Sequence, residues 1–241
     1  MEVGEQGGVD KVLKSPKTVD ELPPSEMGTK EYWDSNYSVE IENFKNYELI
    51  DEGWFGGHVV RRLIREFEIC LKDVKKDDPI IDLGCGNGVL LLGLADRGHT
   101  NLTGVDYSEK AIELAKTIAL TKGVAHIKFL VLDIVNEEVA LKDYAVVIDK
   151  GTYDAISINP ENARAKRDAY KANLMKLLRP RGRFVISSCN WTKEELLHEF
   201  ESDFEFIPQE FKDDNKFQFG GKTGCTVTTV IFQLRNNVSM S

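Results

Sequence analysis

Ile80-Ile81-Asp82-Leu83-Gly84-Cys85-Gly86-Asn87-Gly88 is an apolar run that breaks into three glycines at alternate positions and leads at once into Val89-Leu90-Leu91-Leu92. Such a passage reads as a buried strand turning sharply into a helix. Glycine supplies backbone angles that side chains resist, and it lets a ligand approach the main chain closely. A dinucleotide fingerprint, G-x-G-x-x-G, would put its third glycine at position 89, where the chain carries Val89. The D-x-G-x-G-x-G spacing therefore points to a ligand site at a strand tip, but not to the dinucleotide pattern.

Outward from this loop, short β-rich runs alternate with helical ones. The pattern predicts strands over 80–83, 102–106, 127–132, 145–149, 183–189, 204–209 and 226–234, with helices over 89–97, 108–122, 163–178 and 193–200. Upstream, Val59, Leu63, Ile64, Phe67 and Leu71 recur at spacings of three and four, which predicts an amphipathic helix over 58–71. The glycine-bearing stretch 219–224 suits an antiparallel hairpin near the end of the sheet. The expected fold is α/β: a single doubly wound, mostly parallel seven-stranded Rossmann-like sheet with an antiparallel last strand and helices on both faces. Residues 1–29, rich in Gly, Glu, Lys, Ser and Pro, are expected as a disordered tail. The domain is expected over 30–236, its first part (30–57) an aromatic segment, with 237–241 a short C-terminal tail.

The chain has 241 residues, 41% of them hydrophobic and 29% charged, which is enough for a globular core and excludes collagen-like and mucin-like classes. Its apolar runs fall far short of the roughly 20 residues that span a bilayer. The N-terminus shows no apolar signal segment, so the expected location is the cytoplasm, with the nucleus also open to it. Forty acidic against 31 basic residues give a net charge of −9, which repels a phosphate backbone and disfavours nucleic acid as a partner. Cys70, Cys85, Cys189 and Cys225, like His58, His99, His126 and His198, lack metal-ligand spacing, so no metal is expected.

The strand ends carry the remaining chemistry. Eighteen residues beyond Gly88, the second strand ends in Asp106, followed by Tyr107. A carboxylate there can accept hydrogen bonds from both hydroxyls of a ribose, while the next residue lies against a base. The third strand ends in Leu132-Asp133-Ile134, where an acid can meet an adenine amino group and an apolar neighbour can cover the ring. The fourth ends in Asp149-Lys150-Gly151-Thr152-Tyr153-Asp154, and strand ends of this kind face the ligand crevice.

The glycine loop resembles motif I of the class I, seven-stranded S-adenosylmethionine-dependent methyltransferases, and the fourth strand end resembles their motif IV. Leu178-Arg179-Pro180-Arg181-Gly182-Arg183 resembles the turn before their fifth strand, with Arg183 where a glycine is frequent. Within that superfamily, Tyr32-Trp33-Asp34-Ser35-Asn36-Tyr37 and Glu52-Gly53-Trp54-Phe55-Gly56 resemble the elongation factor 1-alpha lysine methyltransferase group, over nearly all of 32–234. The resemblance implies a protein-lysine N-methyltransferase that uses S-adenosyl-L-methionine on translation elongation factor 1-alpha; a monomer is expected. It also implies cofactor contacts from Trp33, Tyr37, Trp54, Asp82, Gly84, Gly86, Asp106, Tyr107, Asp133, Ile134 and Lys150. Asp149 or Asp154 is expected to recognise the incoming lysine, with Tyr153 as an aromatic wall. Two alternatives stay open at this level: a methyltransferase acting on a small metabolite, and a cofactor-binding scaffold without activity.

Overall fold

The structure is a computed structural model that describes residues 21–51, 55–208, 216–219, 222–225 and 227–236. Seven strands form one mixed sheet: β1 (Ile80–Leu83), β2 (Leu102–Asp106), β3 (Lys128–Val131), β4 (Tyr144–Lys150), β5 (Leu178–Ser188), β6 (Phe204–Phe206) and β9 (Thr228–Leu234). Their spatial order is β3-β2-β1-β4-β5-β9-β6, with β9 antiparallel to both of its neighbours. The expected doubly wound sheet is therefore present. The connection between β6 and β9 carries a further hairpin, β7 (Lys216–Phe219) and β8 (Lys222–Cys225), which forms a separate two-stranded sheet among the described residues.

Apolar alternation along the strands divides the core in two. Ile80, Val146 and Ile148 face helices α2 (Gly57–Cys70), α3 (Val89–Ala95) and α4 (Glu109–Thr121), where Leu63, Phe67, Leu91 and Ile118 are buried. Ile81, Leu83 and Val147 face α6 (Ala163–Leu177) and α7 (Lys193–Phe200), packed against Tyr170, Leu174, Leu196 and Phe200. Fully burying one such side chain contributes about 1.5–3 kcal/mol.

Three elements depart from expectation. Helix α1 (Lys30–Tyr47) fills the aromatic segment, capped by the Thr29 hydroxyl, which accepts from the Tyr32 amide. Its apolar stripe is Trp33, Tyr37, Ile41 and Phe44, spaced three and four residues apart and packed against the core beside α2–α4, with Tyr37 buried and the other three partly so. Polar bonds tie it as well: Ser108 Oγ donates to Asp34 Oδ1 at 2.6 Å and Lys110 Nζ to Ser38 Oγ at 2.6 Å. A six-residue helix, α5 (Thr152–Ser157), follows β4 directly. Finally, the expected tail 1–29 is overdrawn at its end, because Glu26–Gly28 is a 3-10 turn docked on the body. Ser25 N–H donates to the Ile158 carbonyl at 2.8 Å, and the guanidinium of buried Arg167 donates to both oxygens of Glu21 at 3.0 and 2.6 Å. A buried guanidinium requires a carboxylate partner, and the 21–29 segment supplies it.

Candidate active site

The chain leaves β1 for β2 and β3 on one side, then returns to place β4 on the other. A crevice opens at such a switch point, beyond the carboxyl ends of the strands. Here it is a cavity of about 350 Å3, walled by the β1–α3 loop, the tips of β2, β3 and β4, and α1. That volume lies within the usual range for small-molecule sites.

The glycine loop forms its floor. Gly84, Gly86 and Gly88 all take positive φ, at +62°, +54° and +79°. Asp106 fixes the loop: its Oδ2 accepts from the Gly86 amide at 3.0 Å and its Oδ1 from the Ser108 amide at 2.9 Å. Tyr107 lines the cavity and donates its hydroxyl to the Thr29 carbonyl at 3.2 Å. At the tip of β3, Asp133 Oδ1 accepts from the amides of Val135 and Asn136 at 2.9 and 3.0 Å, which holds the turn that presents Ile134 to the cavity. From above, α1 lowers Trp33, Asn36, Tyr37 and Glu40 into the wall, at helical positions i, i+3, i+4 and i+7.

The profile of a family described as "Methyltransferase domain" matches residues 74–227. EEF1A lysine methyltransferase 2 of Homo sapiens is 44% identical over 214 residues, covering 89% of this chain and 89% of that protein. The chain belongs to the EEF1A lysine methyltransferase 2 family. The Danio rerio protein of the same name is 43% identical over 214 residues, covering 89% and 90% of the two chains. Protein-lysine N-methyltransferase EFM4 of Saccharomyces cerevisiae is 35% identical over 225 residues, covering 90% and 98%. Among solved structures, N-methyltransferase NodS from Bradyrhizobium japonicum, in complex with S-adenosyl-L-homocysteine, superposes with a TM-score of 0.59 at 18% identity. It covers 84% of this chain and 98% of its own.

The enzyme is a methyltransferase whose cofactor is S-adenosyl-L-methionine, and the residues present fit that group. A side chain at Gly86 would meet the Tyr37 hydroxyl 2.7 Å away, so the glycine lets α1 close down on the loop and form the cavity wall with it. The strand order lays out Asp133, Asp106, the glycine loop and Lys150 in line across four neighbouring strands. At about 4.8 Å per strand, that row suits an extended nucleoside bearing an amino-acid tail. Gly84, Gly86, Trp33, Tyr37, Asp106, Tyr107, Asp133, Ile134 and Lys150 all line the cavity. Trp54 lies outside the described residues.

Four expected site residues stand elsewhere. Asp82 shares the face of Ile80 and is buried behind the loop, away from the cavity wall, where burial pushes its carboxyl up to about 8. Among the described residues its Oδ1 has no hydrogen-bond partner. Asp149 shares the face of Val147, so strand alternation turns it toward α6 and away from the crevice. Its oxygens accept from Tyr170 Oη at 2.6 Å and from the Thr152 and Tyr153 amides at 2.9 and 3.0 Å, which makes it the N-terminal anchor of α5. Tyr153 is only 1% exposed and packs on Tyr170, Trp191 and Phe200, with ring centroids 5.4, 6.0 and 5.4 Å apart. Because α5 starts at Thr152, helical phase sends Thr152, Ala155 and Ile156 to the cavity and Tyr153 to the opposite core, and Asn159 joins the wall just past the helix.

Asp154 faces neither the large cavity nor that core. It borders a second, much smaller cavity with Met27, Trp33, Gly151, Ala155, Ile158 and Asn190. Its carboxylate accepts from the Ser188 hydroxyl and from the Cys189 amide at 2.8 Å. Burial raises its pKa while these hydrogen bonds pull it down. Trp33, Gly151 and Ala155 line both cavities, so the small one backs directly onto the large one. Sequence reasoning missed Asn36, Glu40, Asp51, Asn87 and Thr152 as wall residues; the i, i+3, i+4, i+7 spacing from Trp33 to Glu40 was the available signal for two of them.

Proposed function

We propose that this methyltransferase transfers a methyl group from S-adenosyl-L-methionine to a lysine side chain of translation elongation factor 1-alpha, and that the lysine approaches beside Asp154, where the small cavity, at about 10 Å3 no larger than a water, must widen as the substrate binds. The observation that carries the substrate is identity of 43–44% over about nine-tenths of the chain to proteins named EEF1A lysine methyltransferase 2; relatives named protein-lysine N-methyltransferase, at 35–37%, support lysine as the acceptor. The shared wall of Trp33, Gly151 and Ala155 supports the route. The net charge of −9 favours a protein over a polyanionic nucleic acid. Both cavities are lined by residues of one chain, which supports activity as a single copy, and the proposed location is the cytoplasm.

When bound, the cofactor supplies an electrophilic methyl carbon on a sulfonium, a good leaving group. The chain's residues supply position. Met27 and Ile158 offer apolar surface to a lysine stem, and the Trp33 ring offers a π-face to its ammonium. Trp33 is held in place by its own Nε1, which donates to the Met27 carbonyl at 2.8 Å. Asp154, fixed by Ser188 and Cys189, accepts from the ammonium. A lysine has a reference pKa of about 10.4 and must shed a proton before it attacks; a neighbouring sulfonium and partial desolvation both lower that value. Alignment of nitrogen, carbon and sulfur supplies the largest share of the rate, on the order of 7–11 kcal/mol in favourable cases.

Incubation of the chain with labelled cofactor and elongation factor 1-alpha should place label on lysine. Absence of label, with S-adenosylhomocysteine binding confirmed, refutes the substrate. Asp154→Ala should lower kcat/KM for the protein substrate by about 10- to 100-fold, the worth of a hydrogen bond to a charged group, and leave S-adenosylhomocysteine affinity within about twofold. An equal loss in both quantities would assign Asp154 to the loop's architecture instead.

A further inference from the structure

Admitting a lysine beside Asp154 requires one wall of the small cavity to yield, and the walls are not equally free to do so. Gly151, Asp154, Ala155 and Ile158 belong to α5 and its flanks, which the sheet holds fast. The Gly151 amide donates to the Ser187 carbonyl at 3.0 Å, and the Asp154 carboxylate is bound by Ser188 and Cys189 at the end of β5. Met27 comes from the segment 21–29, which lies on the end of α5 as a strap. The Ser25 amide donates to the Ile158 carbonyl at 2.8 Å, and the Asn159 side-chain amide donates to the Gly28 carbonyl. A Cβ on Gly28 would lie 2.5 Å from Asn159 Cα and 2.8 Å from the Ala155 carbonyl oxygen, so a glycine is what lets the strap sit this close.

Two successive residues of α6 grip the strap at its two ends. Lys166 Nζ donates to Asn159 Oδ1 at 2.8 Å, which backs the Gly28 end. Arg167, only 1% exposed, takes the other end, where Nη1 and Nη2 each donate to one oxygen of Glu21. The guanidinium rests on the Trp191 ring, 5.4 Å from its centroid, and its Nε has no hydrogen-bond partner among the described residues. Glu21 is half exposed, and the hydrogen bond from Arg167 holds its carboxyl below the usual range. A buried cation whose hydrogen-bond partner sits on a surface strap acts as a latch, because lifting the strap leaves a desolvated charge unpaired. Trp33 is coupled to the strap through its Nε1, which donates to the Met27 carbonyl. We propose that 21–29 is the wall that gives way to the lysine, and that Arg167, acting through Glu21, is the positioning residue that brings Met27 and Trp33 back against its stem. This rests on the lysine approaching beside Asp154.

The test is Glu21→Gln in the full chain, which keeps the shape of a half-exposed side chain and removes its charge. Steady-state kinetics with elongation factor 1-alpha, calorimetry with S-adenosylhomocysteine and amide hydrogen exchange along the strap are compared with the unaltered chain. KM for the protein substrate is expected to rise about 5- to 20-fold, a partly exposed charged hydrogen bond being lost. Both kcat and S-adenosylhomocysteine affinity should stay within about twofold, because the Gly28 end keeps its own bond to Asn159. The Ser25 and Gly28 amides should exchange faster. Glu21→Asp, which keeps the carboxylate, should recover most of the KM. Retained S-adenosylhomocysteine binding also reports a folded chain. A lower melting temperature with unchanged KM would overturn the inference and leave the pair as a brace. An equal loss of S-adenosylhomocysteine affinity would overturn it in favour of a strap that serves the cofactor, and unchanged exchange would show that Arg167 does not hold the strap. If the unaltered chain binds S-adenosylhomocysteine yet puts no label on elongation factor 1-alpha, the substrate reading fails first and the inference falls with it.

Discussion

Gly84→Ala is expected to abolish measurable S-adenosylhomocysteine binding and to lower the melting temperature by roughly 5–15 °C, the shift that about 2–5 kcal/mol produces in a chain of this size. Gly84 sits at φ +62°, where any side chain carries about 1–2 kcal/mol of strain. A Cβ there would lie 3.0 Å from Thr152 Cβ and 3.1 Å from Thr152 Cγ2, and closer still to its hydroxyl. Rotating Thr152 about χ1 exchanges one clash for another, and its hydroxyl is already engaged, donating to the Leu83 carbonyl at 2.7 Å. The glycine loop and the start of α5 must therefore part, and both border the cavity. Gly98→Ala is the matched control: its φ is +87° but its Cβ would meet nothing within 4 Å, so it carries strain alone. A Gly84→Ala protein that melts and binds like the Gly98→Ala protein would refute the close packing of loop against helix.

The second large effect is a loss of stability as pH rises. Burial pushes Asp106 up to about 6, Asp149 up to about 7 and Asp82 up to about 8, against an ordinary value of 3.8. The sign follows from proton counting. Between 3.8 and its folded value, each carboxyl keeps in the folded state a proton that the unfolded chain has released. Its stabilising contribution is full below the unfolded pKa and is lost as pH climbs to the folded one, at about 1.4 kcal/mol per pH unit for each group. Three groups act up to about 6, two up to about 7 and Asp82 alone up to about 8. The melting temperature of the cofactor-free chain should therefore fall steadily from pH 5 to pH 8. Asp82→Asn removes one titration without changing the shape of the side chain, so the variant should show a shallower decline and should outlast the unaltered chain at pH 8. Parallel curves for the two proteins would show that Asp82 ionises in the folded state as it does in the unfolded one.

What was legible in the sequence was local. The run Ile80 to Leu83 is apolar throughout and stops at glycines whose positive φ values the structure confirms, so strand, loop and following helix could be read without any partner. Asp106 was legible for the same reason, as an acid closing an apolar strand. Helix α1 was not read, although Trp33, Tyr37, Ile41 and Phe44 carry a helical period, because the polar residues Asn36 and Glu40 share that side as cavity wall and break the apolar pattern. The 3-10 turn at Glu26–Gly28 was hidden by a composition that otherwise looks like a tail; what orders this region is Arg167, 146 residues from its partner Glu21.

The sequence by itself determined which elements exist and which of them end in chemically useful residues, since propensity, glycine placement and strand-ending acids are written in adjacent positions. Only the tertiary structure decided where those residues point. Asp149 and Lys150 are neighbours in the chain, yet alternation along β4 gives one to Tyr170 and the other to the cavity. One residue of phase at the start of α5 buries Tyr153 and presents Thr152. Direction of this kind depends on which face of the sheet each helix covers, and that is settled by contacts between residues far apart in the chain.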